Sequence, residues 1–211
     1  MRPIDSRKST FIAESRRHQI MEAAIRTLDE IGYAKASLAQ IARRAGISTA
    51  LISYHFADKI DLMNSLLVNL LASTTEYVEE RVQRERTPDA KLRAYIRASV
   101  DYLRAHPSRS IALIEILFHA RTPDNVPYYR LQEDGEDEDP ALRMLRSILR
   151  EGQEQGVFAD FHPDVMAHFI QGAISEYMLD SSLTRKVDPE TYADELYRIV
   201  QKAVRNDLLG Q

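Results

Sequence analysis

Between Gly46 and Lys59 the sequence reads GISTALISYHFADK, and its polar residues are chosen for size as much as for charge. Ser48, Thr49, Ala50 and Ser53 are small or hydroxylated, and Tyr54-His55-Phe56 closes the run. Helical spacing puts Ile52 and Phe56 (i, i+4) on one side as an anchor and leaves Thr49, Ala50, Ser53 and Tyr54 on the other. Short side chains at the start of a helix let its backbone approach a ligand closely. The free amides and positive dipole end there favour phosphate. The chemistry expected of this face is contact with DNA rather than reaction.

A reactive site is not legible elsewhere. Helical hydrolases and metal enzymes gather His with Asp or Glu on neighbouring helices. The six histidines, at 18, 55, 106, 119, 162 and 168, are scattered, with no Glu-x-x-His or His-x-x-x-His pair. There is no glycine-rich phosphate loop and no Gly-x-Ser-x-Gly elbow. With no cysteine, disulfides and thiolate metal sites are excluded. No catalytic residue, metal or cofactor is expected. A protein–protein adaptor remains the other alternative, against which Tyr54-His55 and Lys59 argue.

The contact face has to be positioned by helices. Ile20, Ala23, Ala24, Thr27, Leu28 and Ile31 recur at helical spacing, and Gly32 stops the run. Ser37-Leu38-Ala39-Gln40 is a capping box that opens a short helix, with Leu38, Ile41, Ala42 and Ala45 inward and Gly46 closing it. A third, very short helix runs from Ser48 to Phe56. Such a trio, with a glycine turn between its second and third members, has the outline of a helix-turn-helix unit. Beyond it, Asp58 caps a fourth helix, Thr87-Pro88 opens a fifth and His106-Pro107 a sixth. Asp139-Pro140 opens a seventh, Pro163 an eighth and Asp188-Pro189 a ninth. The segment 122–139 reads as one loop with six acids over 133–139, a solvated charge run. The fold class expected is all-α, with about nine helices.

Composition agrees. Hydrophobic residues make up 44% and charged residues 28% of 211, and no apolar run is long enough to span a bilayer. The N-terminus lacks the apolar segment of a secretory signal, so a cytoplasmic protein without a membrane partner is expected. The net charge of −4 is uneven: residues 1–59 carry ten Lys/Arg against six Asp/Glu, and the remainder is acidic. That pattern points the basic quarter at a polyanion. Arg2, Arg7 and Lys8 read either as a loose arm for phosphates or as a solvated tail.

GISTALISYHFADKIDL, preceded by RRHQIMEAAIRTLDEIGYAKASLAQIARRA, resembles the recognition-helix signature of the TetR (tetracycline repressor) family of bacterial regulators. The likeness covers residues 16–63. It implies a helix-turn-helix DNA-binding domain over 1–58, with 1–10 arm-like or disordered, and a helical ligand-sensing and dimerisation domain over 59–211. By the same resemblance Ser37, Tyr54, His55 and Lys59 hold phosphates, Thr49, Ala50 and Ser53 face base edges, and Ser48 caps the recognition helix. Ser53 and Leu51 depart from residue types common in the family, which bears on the operator sequence. The partners implied are double-stranded operator DNA, a small-molecule effector, and a second copy of the chain through helices 163–183 and 189–205. The function implied is a repressor released from a palindromic operator by a small hydrophobic ligand, with an activator or a ligand-independent regulator as the alternative.

For the effector, two acids interrupt apolar stretches: Glu115 in IALIEILF and Glu176 in FIQGAISEYML. With Tyr102, Phe118, Tyr177 and Met178 they would suit a flat, apolar, cationic compound. The alternative is that both acids pair with arginines such as Arg109 or Arg146, or lie in water at a dimer rim.

Overall fold

Prolines and capping side chains set most helix starts in this chain. Thr87, Asp180 and Asp188 each accept a backbone amide of the helix they precede, and Pro88, Pro107, Pro140, Pro163 and Pro189 are first helical residues. The computed structural model describes residues 4–122, 125–126 and 140–206. Among these residues there are ten helices and no strand. In chain order they are α1 (Ile4–Lys35), α2 (Leu38–Ala45), α3 (Thr49–His55), α4 (Lys59–Val82) and α5 (Pro88–Ala105). They continue as α6 (Pro107–His119), α7 (Pro140–Glu154), α8 (Pro163–Leu179), α9 (Ser181–Lys186) and α10 (Pro189–Val204). Arg2 and the acidic run 133–139 lie outside the described residues.

Two expectations need correcting. Residues 4–10, read as an arm, continue α1, so Arg7 and Lys8 are helical. The helix expected over 163–183 ends at Leu179, because the Asp180 carboxylate takes the amides of Ser182 (2.7 Å) and Leu183 (3.3 Å) and starts α9.

The chain divides into two units, Met1–Leu70 with Ser108–Glu133, and Leu71–Pro107 with Asp134–Gln211. The division falls inside α4 rather than at residue 58. The first unit's core explains why: Ile20, Ala23, Ala24 and Leu28 of α1 and Ile41, Ala42 and Ile52 pack with Leu62, Met63, Leu66 and Leu70 of α4. Ala112, Ile116 and Ala120 belong to the same cluster, so α6 is a structural part of this unit. Each fully buried branched side chain here contributes about 1.5–3 kcal/mol.

In the second unit the inner faces of α5 (Leu92, Tyr95, Ile96), α7 (Leu145, Ile148, Leu149), α8 (Ala167, Ile170, Ile174) and α10 (Leu196, Val200, Val204) form one cluster. Gly152 is fixed by its neighbour: a Cβ there would stand 2.0 Å from the Phe158 ring. The outer side of α8 is unlike the inner one. Val165 and Phe169 are 68% and 55% exposed, and Gly172, Glu176 and Leu179 continue the same exposed stripe. On α10, Ile199 is 54% exposed.

Candidate nucleic-acid interface

Three local devices shape α2 and α3. Ser37 Oγ accepts the Gln40 amide at 3.3 Å and donates to Gln40 Oε1 at 2.8 Å, so the capping box forms with the glutamine facing the serine hydroxyl. Gly46 ends α2 at φ 68°, ψ 32°, with open space where a Cβ would be, so the left-handed backbone alone calls for glycine. Ser48 then caps α3, its Oγ accepting the Leu51 amide at 3.2 Å.

Ile52 and Phe56 are buried, while Ser48, Thr49, Ala50, Ser53 and Tyr54 are exposed, Tyr54 to 81%. The short helix is thus anchored on one side and open on the other. The Tyr54 ring stands edge-on to His55, at 5.0 Å between centroids. His55 is half-buried, and its imidazole is held below the usual histidine range by burial, with Arg17 and Arg16 adding to the effect. Burial and the two arginines thus favour the uncharged ring in the free protein.

α1 holds the far ends of both helices. Gln19 Nε2 donates to the Ala45 carbonyl at the end of α2 (2.7 Å), and Arg17 Nη1 donates to the His55 carbonyl at the end of α3 (2.6 Å). The same guanidinium reaches Ser65 Oγ at 3.2 Å and covers the Phe56 ring at 4.2 Å. Cationic and amide donors on helix-terminal carbonyls satisfy groups that the helix leaves unpaired. Arg44 is engaged by the carboxylate of Glu30.

Lys59, expected at phosphate, has an internal partner. Its Nζ donates to the Tyr33 carbonyl at 2.6 Å and lies 4.1 Å from the centre of the Tyr33 ring. Burial pushes its pKa below the usual lysine value. An ammonium has three donors, so this bond leaves further N–H groups for an anion. On the other side of the same residue, the Tyr33 amide donates to Glu115 Oε2 at 2.7 Å. Just before it, Gly32 breaks α1 at φ 73°, ψ 167°.

All eight residues expected at DNA therefore lie in the first unit. Ser37, Ser48, Thr49, Ala50, Ser53 and Tyr54 are exposed, and His55 and Lys59 are half-buried.

The six residues expected around an effector fall in both units. Glu115 and the half-exposed Phe118 belong to the first unit, the other four to the second. Glu115 serves a backbone amide, and Glu176 is exposed on α8. Tyr177 donates to the Val187 carbonyl at 2.9 Å and stacks on Tyr192, and Met178 is half-buried. Neither acid is left in an apolar interior as a counter-charge. Tyr102 differs from the rest. It is 4% exposed, its hydroxyl has no hydrogen-bond partner among the described residues, and the rings of Tyr77 and His106 lie 5.3 and 4.6 Å away.

Arg17, Gln19 and Glu115 tie main-chain groups of this region together, roles that sequence reasoning did not give them. All three act on main-chain groups, and only the RRHQ run just before the first apolar position hinted at two of them.

Residues 20–66 match the family model described as bacterial regulatory proteins, tetR family. The chain is 38% identical over 88 residues to the HTH-type transcriptional regulator BetI of Pectobacterium atrosepticum; the match takes 41% of this chain and spans a little under half, 45%, of that regulator. Against BetI of Escherichia coli O45:K1 it is 30% identical over 136 residues, 64% of this chain and 67% of the other. In fold it is similar to the transcriptional regulator FadR of Bacillus subtilis, solved in complex with stearoyl-CoA. There the TM-score is 0.75 at 22% identity, over 89% of this chain and 99% of that one. Among the described residues no helix is long and apolar enough to cross a membrane.

Proposed function

Because the chain belongs to the TetR family of bacterial regulatory proteins, we propose that it is a ligand-responsive transcriptional repressor that binds inverted-repeat operator DNA as a homodimer. One observation carries this reading. α3 is anchored by buried Ile52 and Phe56 and tied at its end by Arg17, while its outer side offers only Ser48, Thr49, Ala50, Ser53 and Tyr54. A helix held this firmly with so little bulk outward is suited to the major groove. In this reading Thr49, Ala50 and Ser53 face base edges. Ser37, Tyr54, His55 and the free donors of Lys59 hold phosphates, with Ser48 shaping the helix start.

The second unit supplies the dimer and the sensor, and the protein works in the cytoplasm. The exposed Val165–Phe169–Gly172–Leu179 stripe of α8, with Ile199 of α10, supports a self-complementary contact between two copies. The effector is a small hydrophobic molecule with a polar group, and Tyr102 is its anchor. A buried hydroxyl without a partner is costly to the empty protein and is relieved by a ligand that bonds to it.

The test is selection of duplexes from a random pool with the purified chain, followed by gel shift against salt. The expected result is an inverted repeat with half-sites roughly 34–36 Å apart. Lys59→Ala should weaken every sequence alike and reduce the salt slope by about one per protomer. Failure to enrich any duplex would overturn the reading.

A further inference from the structure

Glu115 comes from α6, which the chain reaches only after all of α5, yet it acts at the edge of the DNA-facing helices. Its carboxylate lies beside the break in α1. A Cβ on Gly32 would stand 3.3 Å from Oε2, and the next amide, that of Tyr33, donates to the same oxygen at 2.7 Å. The residue so held does more than end a helix. Its carbonyl receives Lys59 Nζ at 2.6 Å and the Ala36 amide at 3.3 Å, and its ring lies under the Lys59 ammonium. One residue after Ala36 stands Ser37, the cap of α2.

We propose that Glu115 is a positioning residue for duplex binding: by holding the Tyr33 amide it fixes the turn that carries Ser37 and the carbonyl that aims Lys59. The proposal rests on the DNA-binding reading above and adds to it a residue from outside the helix-turn-helix segment. Tyr33 is gripped from both sides, by a carboxylate on its amide and an ammonium on its carbonyl and ring. α6 is itself strapped to α1: Arg109 pairs with Glu22, Ser108 Oγ donates to Asp29 Oδ2 at 2.6 Å, and Ala112, Ile116 and Ala120 are fully buried. His119 Nδ1 lies 3.5 Å from the same Oε2, one turn on, so the carboxylate has a second neighbour on its own helix.

The experiment compares wild type, Glu115→Ala, Glu115→Gln, Lys59→Ala and the double variant Glu115→Ala/Lys59→Ala, each as the full chain. Operator affinity is measured against salt on the duplex selected by wild type, at a temperature where every variant is folded. Glu115→Ala should bind about tenfold more weakly, with a salt slope reduced toward that of Lys59→Ala. Glu115→Gln keeps an oxygen acceptor for the Tyr33 amide and should recover most of the affinity. The double variant should be no weaker than Lys59→Ala alone, because both changes disable one contact. In an amide NMR spectrum the Tyr33 proton should move upfield in Glu115→Ala and stay near its wild-type position in Glu115→Gln. If wild type binds no duplex, the DNA reading fails and takes this proposal with it. If wild type binds and Glu115→Ala matches it in affinity and slope, or the two losses simply add, Glu115 is structural only and this proposal alone falls.

Discussion

Arg17 and His55 meet through opposite parts of the histidine: the guanidinium takes its carbonyl at 2.6 Å and at the same time depresses the protonation of its ring. The arginine is thus both the tie that ends α3 and one reason the uncharged imidazole is favoured. Burial is the larger cause, and Arg16 is the third.

That ordering yields a pH prediction. Since the folded-state pKa of His55 lies below the ordinary 6.5, the unfolded chain takes up the proton first as pH falls. The His55 contribution is fully present above about 6.5 and declines as pH drops toward the folded value. Operator affinity should move the other way, rising over the same window, because phosphate favours the charged ring. In Arg17→Gln the His55 pKa should climb yet remain below the ordinary value, since burial persists. NMR titration of the ring protons, referenced to His55→Gln, measures both; a pKa at or above the ordinary value in wild type would refute the assignment.

Gly172 allows the proposed dimer to be tested apart from the fold. It lies in α8 on the exposed stripe, with nothing within 4 Å of where its Cβ would be. Gly172→Leu should therefore stabilise the helix of a single copy, glycine being about 1 kcal/mol worse than alanine in a helix interior. At a close helix–helix approach between copies the same side chain obstructs. Sedimentation should show a shift from dimer toward monomer while helical content is kept. A dimer of unchanged strength would place the interface elsewhere.

Tyr102→Phe removes a hydroxyl that the described residues leave unpartnered. Without effector the variant should be as stable as wild type or better, the relief being worth about 1–3 kcal/mol. That corresponds to a midpoint rise of about 2–4 °C per kcal/mol for a chain of this size. Calorimetry on the two proteins decides it; a fall of several degrees would show that the hydroxyl is already satisfied and is no anchor for a ligand.

The parts of this molecule governed by neighbours in sequence were readable in advance. Ser37 with Gln40, and Gly46, are local devices closed within a few residues and fall where spacing placed them, while the Ser48 cap, which the family resemblance implied, closes as locally on Leu51. The ties that hold the contact face were not readable. Arg17 to His55, Gln19 to Ala45 and Glu115 to Tyr33 are 38, 26 and 82 residues apart and end on main-chain atoms, which every residue carries alike. A carboxylate in IALIEILF announced only that something must satisfy it. Spacing had no means to say that an amide beside a glycine break, rather than a ligand, would do so. The split of α8 from α9 was hidden for a related reason: Asp180 follows an apolar run and reads equally as its continuation or as the next cap.

The membership of α6 in the first core has a consequence for biogenesis. Ala112, Ile116 and Ala120 complete a cluster begun at Ile20, and between them the ribosome must make the whole of α5. A nascent chain that has just emerged through α4 carries the entire contact face but lacks one wall of the core beneath it. Such a chain exposes apolar surface on α1 and α4 until α6 arrives, at a synthesis rate of about 5–20 residues per second. The contact face is thus finished late, and a polypeptide cut after α5 is left with its apolar core open to solvent.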